Sequence, residues 1–387
     1  MIHRLNNVDI FAPHPLGVCH VLVAAGKIIA ISKQAIEIDQ NLLASDIDFD
    51  GKRLVPGLID GHAHITGGGG EAGFKSKVPA VNLSQYTKAG VTSVVGLLGT
   101  DDTTRNTSSV IAQVYALREE GISAWCYTGG YHVPLNTLTD CVRKDMVHID
   151  PIIGVGELAI SDHRSSQPTF DEVARIAGDV HVAGLMTGKA GIVHFHLGDG
   201  KRGLDLLEKL LDETEIPPRV LNPTHCNRNI PLFEQACGLT KRGISIDVTA
   251  FPPSDSLEEY SAAESFRRYM KGGFDKSKLT ISSDGGGCLP HFNQQGELLH
   301  LDYGRCTLLS DCIKELLDEG FDLEDVIAPF TCNVAKLLRL HHKGEIKSGN
   351  DADLIILDND NKIESVMALG KWHQKNHKTI VFGSFET

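Results

Sequence analysis

From about residue 53 onward, short apolar runs rich in Val, Ile and Thr alternate with longer stretches whose apolar residues recur every three or four positions. Short runs of this kind read as strands buried on both faces, and the longer ones as amphipathic helices between them. The pattern predicts eight strands: Arg53–Ile59, Thr92–Leu98, Ser123–Thr128, Ile152–Ile160, Gly191–Leu197, Arg219–Thr224, Ile244–Thr249 and Leu279–Ser283, with helices such as Ser109–Glu120 and Leu204–Glu213 between them. Successive βα units of this number predict an α/β fold, a (β/α)8 TIM-like barrel, with an open doubly wound sheet as the alternative. The two ends read differently. Residues 1–52, with strand-like pieces such as His20–Ala30, and residues 344–387 both look like short-stranded β structure. Chain ends usually lie near each other, so we expect a small β domain of 1–52 plus 344–387 beside a barrel of 53–343.

Length agrees with that division, because 387 residues exceed a barrel of about 250 by enough for a small companion. The balance of 37 basic against 50 acidic residues gives a formal charge of −13, with no basic run to track a phosphate backbone. Nucleic acid is therefore not an expected partner. No stretch of 18 apolar residues runs uninterrupted, and the first ten residues carry no apolar leader, so we expect a cytoplasmic chain that does not meet a membrane. The nine cysteines are odd in number and lack any C-x-x-C pair, which predicts reduced thiols. Cys141, Cys237, Cys306 and Cys312 fall in helix-like patterns, where a cysteine serves as a small buried hydrophobe.

Chemistry enters at the strand ends. His62 and His64 follow the apolar run from Leu54, and residues two apart on a strand point to the same side, so both imidazoles reach one metal. Glu157, His196, His225 and Asp284 stand at the ends of later predicted strands, and in a barrel all would converge on one mouth. Imidazole and carboxylate ligands with room for water suit zinc in a hydrolytic site, and a bridging carboxylate lets two cations share one hydroxide. His194 shares a strand face with His196, and spacing alone does not choose between them. The glycine run 67–70 lacks the lysine ending of a phosphate loop and predicts close backbone approach to a ligand instead.

Read together, Val55-Pro-Gly-Leu-Ile-Asp-Gly-His-Ala-His64 and Gly344-Glu-Ile-Lys-Ser-Gly-Asn-Asp-Ala-Asp-Leu354 resemble the amidohydrolase superfamily. Within it the chain looks like the isoaspartyl dipeptidases, through Gly67–Gly73, Gly90–Asp101, Tyr131-His-Val-Pro134, Ala159–Ser165, Thr224–Asn229 and Ser283-Asp-Gly285. The resemblance implies a barrel with a small β domain, two Zn2+ per chain, a homo-oligomer, and hydrolysis of dipeptides linked through the aspartate side chain. It assigns one metal to His62 and His64, the other to His196 and His225, with Asp284 as general base and then acid; His194 receives no such role. The bridging position, a carbamylated lysine in the family, is occupied here by Glu157. Glu71 and Thr100 match positions near the substrate's α-amino group, Arg164 and Arg228 offer forks for its carboxylates, and Tyr131 matches the oxyanion donor. Cys288 stands where the family often has serine. The alternatives are a dihydroorotase-like or N-acyl-D-amino-acid deacylase-like enzyme, or a non-catalytic scaffold of the same superfamily.

Overall fold

The computed structural model describes residues 1–252, 259–292 and 298–386. Six parallel strands lie side by side in chain order: Leu58–Ala63, Val91–Gly96, Ser123–Thr128, Ile152–Ile160, Ile192–Leu197 and Leu221–Thr224. A parallel pair follows, Ile246–Thr249 with Leu279–Ser282. Cys226 N donates to Asp247 O at 3.2 Å on one side of that pair. On the other side Ala63 bridges Gly285 in the parallel sense, and His64 N donates to Gly285 O at 2.7 Å. The last strand is thus tied to the first.

Every residue of the fourth and fifth parallel strands is buried, as expected where helices cover the outer face. The helix Phe170–Thr187 shows how the covering elements are specified. Thr169 and Glu172 form a capping box at its start, Val173, Ala177 and Val180 give it one buried stripe, and Gly188 at φ 73° ends it. Helix Thr107–Glu120 closes the same way on Gly121, at φ 108°.

Strands from both ends of the chain build a separate nine-stranded sheet. Its order is Lys378–Thr379, Lys371–Lys375, Ile363–Ala368, Leu354–Leu357, Arg53–Pro56, Ile2–Phe11, Pro15–Ala24 and Lys27–Ser32, with Ser45–Asp48 also paired to Ile2–Phe11. Leu5, Val8, Ile10, Val21, Val23, Leu54, Ile356 and Met367 form a core of its own. In Ile2–Phe11 the buried set shifts from odd to even positions between Leu5 and Val8. A bulge there, with Asn7 at φ 51°, keeps one face inward across the slip.

Two expected elements are corrected. The run Arg53–Ile59 is not one strand: Arg53–Pro56 pairs in the nine-stranded sheet and Leu58–Ala63 opens the parallel set. The break falls at Gly57, where a Cβ would lie 2.2 Å from Thr92 Oγ1, so the chain changes sheets at a point that admits no side chain. Likewise His20–Ala30 is a hairpin of Pro15–Ala24 and Lys27–Ser32, turned at Ala25 and Gly26 with φ 50° and 78°. All nine cysteines are free thiols. Among the described residues no helix is long and apolar enough to cross a membrane.

Candidate metal centre and active site

The parallel strands deliver their polar residues to one end. His62 lies in the first strand and His64 just beyond it, Glu157 in the fourth and His196 in the fifth. His225 directly follows the sixth strand and Asp284 stands two residues past the eighth, each in the left-handed region at φ 58° and 51°. Such backbone is rare for these residues and clusters at functional sites; here it turns both side chains back over the strand ends. All six are buried.

Glu157 is the centre of the group. Its Oε1 lies 3.5 Å from His64 Nε2, while its Oε2 lies 3.0 Å from His196 Nδ1, 3.3 Å from His225 Nε2 and 3.7 Å from His62 Nε2. Asp284 Oδ1 stands 3.0 Å from His64 Nε2 and 3.4 Å from His62 Nε2. Two ligand sets emerge, His62 with His64 and Asp284, and His62 with Glu157 and His225. His62 belongs to both, whereas His196 stands outside them, hydrogen-bonded on both ring nitrogens. The glycine at 99 makes room, since a Cβ there would lie 2.5 Å from His64 and 3.3 Å from Glu157 Oε1.

The hydrogen bonds below the centre assign a tautomer. Asn222 Nδ2 donates to Ser245 O at 2.8 Å, so its Oδ1 accepts from His194 Nδ1 at 2.6 Å. His194 Nε2 is then an acceptor, and His62 Nδ1 must donate to it at 2.8 Å. That leaves His62 Nε2 facing Asp284 Oδ1 at 3.4 Å, and neither atom has a hydrogen-bond partner. A neutral ring would set two buried acceptors face to face there, which is costly unless a proton on Nε2 or a cation lies between them. The donor set fits a metal: imidazole nitrogens and carboxylate oxygens, buried and converging, where a cation can take the place of that proton.

The electrostatics agree. Burial opposes charge on His62, but Glu157 and Asp284 outweigh it and push the ring up to about 9. Glu157 and Asp284 are both held below the usual carboxylate range, against burial, by the surrounding histidines. His194 goes the other way, lowered to about 3 by burial and by the charge on His62, so it remains neutral.

Above the centre opens a cavity of about 480 Å3 whose wall includes Glu71, Thr100, Tyr131, Arg164, Arg228 and Cys288. Tyr131 Oη lies 2.8 Å from His196 Nδ1, and its hydroxyl is pushed well above its ordinary range by burial and by Glu157. It therefore stays a donor. Arg164 lies over the Tyr131 ring at 5.7 Å and has its Nη1 3.7 Å from Glu71 Oε1. Arg228 lies over Phe251 at 5.8 Å, with its Nε buried and unpartnered. Every residue expected to bind substrate thus lines one cavity, and of the expected ligands only His62 lies beneath it. The glycine run packs on its own chain: a Cβ at Gly67 would lie 1.9 Å from Val78 O, one at Gly68 3.1 Å from the His64 ring, and one at Gly69 2.8 Å from Cys288 Cβ.

Sequence reasoning missed the residues that act through others. Asn222 carried no motif. Asp162, which bonds both His196 and Arg164, lies inside the Ser161-Asp-His-Arg motif, and only its spacing of two from Arg164 hinted at the pair.

Comparison with known proteins bears on this arrangement. Residues 53–373 match the model of the amidohydrolase family. A crystal structure of a β-aspartyl dipeptidase from Fervidobacterium islandicum AW-1, in complex with a β-Asp-Leu dipeptide, is 40% identical, covers 98% of each chain and superposes with a TM-score of 0.91. An imidazolonepropionase of Psychrobacter cryohalolentis is 23% identical over 84% of this chain and 81% of its own length. A dihydroorotase of Carboxydothermus hydrogenoformans is 23% identical over 92% of this chain and 88% of its own.

Proposed function

Because the chain belongs to the amidohydrolase family, we propose that it is a binuclear zinc hydrolase that cleaves β-aspartyl dipeptides at the side-chain amide. The observation that carries this reading is the cavity wall, which sets the acid Glu71 beside Arg164 and Arg228 above the histidine and carboxylate cluster. A β-aspartyl dipeptide is a small zwitterion with one ammonium and two carboxylates, and this wall matches it charge for charge. The 40% identical Fervidobacterium relative, crystallised with β-Asp-Leu, supports the same class of substrate.

Two divalent cations held by His62, His64, His196, His225, Glu157 and Asp284 would supply a water of lowered pKa and an electrophile for the attacked carbonyl. Glu157, its two oxygens facing different histidines, would bridge them in the role that the family gives to a carbamylated lysine. Asp284, whose Oδ1 has no hydrogen-bond donor, takes the proton from the attacking water and returns it to the departing α-amine. Tyr131 donates to the oxygen that gains charge, a contribution of about 3 kcal/mol for a preorganised donor. Glu71 and Thr100 hold the α-ammonium, Arg164 and Arg228 the carboxylates. Cys288 sits beside them at a usually serine position and is a weaker hydrogen-bond donor. We further assign residues 58–343 to a closed (β/α)8 barrel and 1–56 with 344–387 to a small β domain, moving the expected boundary past Arg53–Pro56, which pairs in the nine-stranded sheet.

The test is hydrolysis of β-Asp-Leu beside N-acetyl-D-amino acids and dihydroorotate, which lack the free amine that Glu71 would bind. We expect cleavage of β-Asp-Leu alone, abolished by chelator and restored by zinc. Turnover of either competitor in its place would favour the cyclic-amide or deacylase reading, toward which the dihydroorotase relative points.

A further inference from the structure

Each buried histidine at the centre uses its second nitrogen differently. His62 leads through His194 to the Asn222 amide, and His225 Nδ1 meets Thr249 Oγ1 at 2.7 Å; both partners are neutral. His196 alone meets a carboxylate on the side away from Glu157, with its Nε2 3.0 Å from Asp162 Oδ2. The same carboxylate grips Arg164 by two bonds, Nε to Oδ1 at 3.0 Å and Nη2 to Oδ2 at 2.7 Å. Arg164 Nη1, outside that pair, points toward Glu71 and the cavity.

Asp162 is held to this double duty. Ser161 before it takes φ 50°, which turns the chain inward. A Cβ at Gly198 would lie 2.5 Å from the Asp162 Cβ, so the carboxylate reaches His196 only because that position is glycine. Arg164 N donates to Asp162 Oδ1 at 2.7 Å and Gln167 Nε2 to Asp162 O at 2.8 Å, closing the loop upon itself.

We propose that Asp162 is a positioning residue that divides one carboxylate between the metal ligand His196 and the substrate-binding Arg164, and so links metal affinity to carboxylate binding in the cavity. This rests on the proposed roles of His196 and Arg164. Accepting from His196 Nε2–H, Asp162 favours the tautomer that leaves Nδ1 without a proton when a metal takes that proton's place beside Glu157, and it makes that nitrogen a stronger ligand. Arg164 draws on the same oxygens and weakens this effect. A substrate carboxylate that engages Arg164 Nη1 shares the cation, returns electron density to Asp162, and tightens the hold of His196 on metal. The linkage is reciprocal by thermodynamic necessity.

The experiment measures zinc binding to metal-stripped protein by competition with a chromophoric chelator, in wild type, Asp162→Asn, Arg164→Met and the double variant. Asp162→Asn should weaken zinc binding by about 10- to 100-fold, the usual effect of losing such a partner. Arg164→Met keeps the carboxylate and should tighten zinc binding, by about fivefold at the low end of such couplings, and this gain should vanish in the double variant. A role confined to folding predicts no gain on removing Arg164. Wild-type protein that takes up no zinc would overturn the functional reading and this inference with it. Zinc uptake by wild type with unchanged affinity in Asp162→Asn, or a gain from Arg164→Met that survives in the double variant, would overturn this inference alone.

Discussion

The chain buries imidazoles in two contrasting places. At the strand ends His62, His64, His196 and His225 are packed around Glu157 and Asp284. On the strand Lys371–Lys375 of the nine-stranded sheet, His373 is buried against Gly121, and neither of its nitrogens makes a hydrogen bond. Burial disfavours charge in both, yet the outcomes are opposite: carboxylates raise His62 to about 9, while burial lowers His373 to about 4. Desolvation is common to the two sites, and the anionic partners decide. At the first, carboxylates hold positive charge on His62 while burial keeps His225 beside it neutral. The second tolerates a ring only in its neutral form.

The largest effect that bears on this contrast is expected from Asp284→Asn. It removes the base while leaving the imidazoles in place, so the rate of β-Asp-Leu hydrolysis should fall about 10^3-fold, as for other general bases, with zinc still bound. Loss of zinc in step with activity would show instead that Asp284 serves mainly as a ligand.

Next is acid stability. His373 has a folded value near 4 against about 6.5 unfolded, so the unfolded chain takes the proton first. Its neutral burial therefore contributes stability in full above about pH 6.5 that is lost as pH falls toward 4, on the order of 3 kcal/mol. Urea unfolding of zinc-free wild type and His373→Phe at pH 7.5 and 4.5 isolates the term. Wild type should lose more stability than the variant, and parallel losses would refute the assignment.

The smallest effect is expected at Asn222, two steps from the centre. Asn222→Ala frees His194 to choose its tautomer and should weaken zinc binding by about tenfold, read by chelator competition. An unchanged constant would mean that the orientation of His62 does not depend on this relay.

The strand pattern and the six candidate ligands were legible because buried parallel strands announce themselves as apolar runs and active-site residues stand where those runs stop. The break between Pro56 and Leu58 was not, because an apolar run carries no mark of the sheet it pairs with. Glu157 stood out by its place on a strand, but its role as a bridge came only from the family resemblance, since nothing local in Gly154-Val-Gly-Glu distinguishes a bridge from a core carboxylate. The resemblance gave His194 no ligand role, and its hydrogen bond to His62 depends on a neighbour 132 residues away in sequence. Asp162 and Asn222 act at the same remove, through contacts across strands that no spacing rule encodes.

The central claim is that the buried carboxylates make the strand ends a two-cation site. Its most direct test is the zinc content per chain, by elemental analysis of wild type and Glu157→Ala after exhaustive dialysis against zinc-containing and then zinc-free buffer. The account predicts two zinc ions per wild-type chain and one or none in Glu157→Ala. A wild-type chain with a single zinc, or a variant that keeps both, would contradict it.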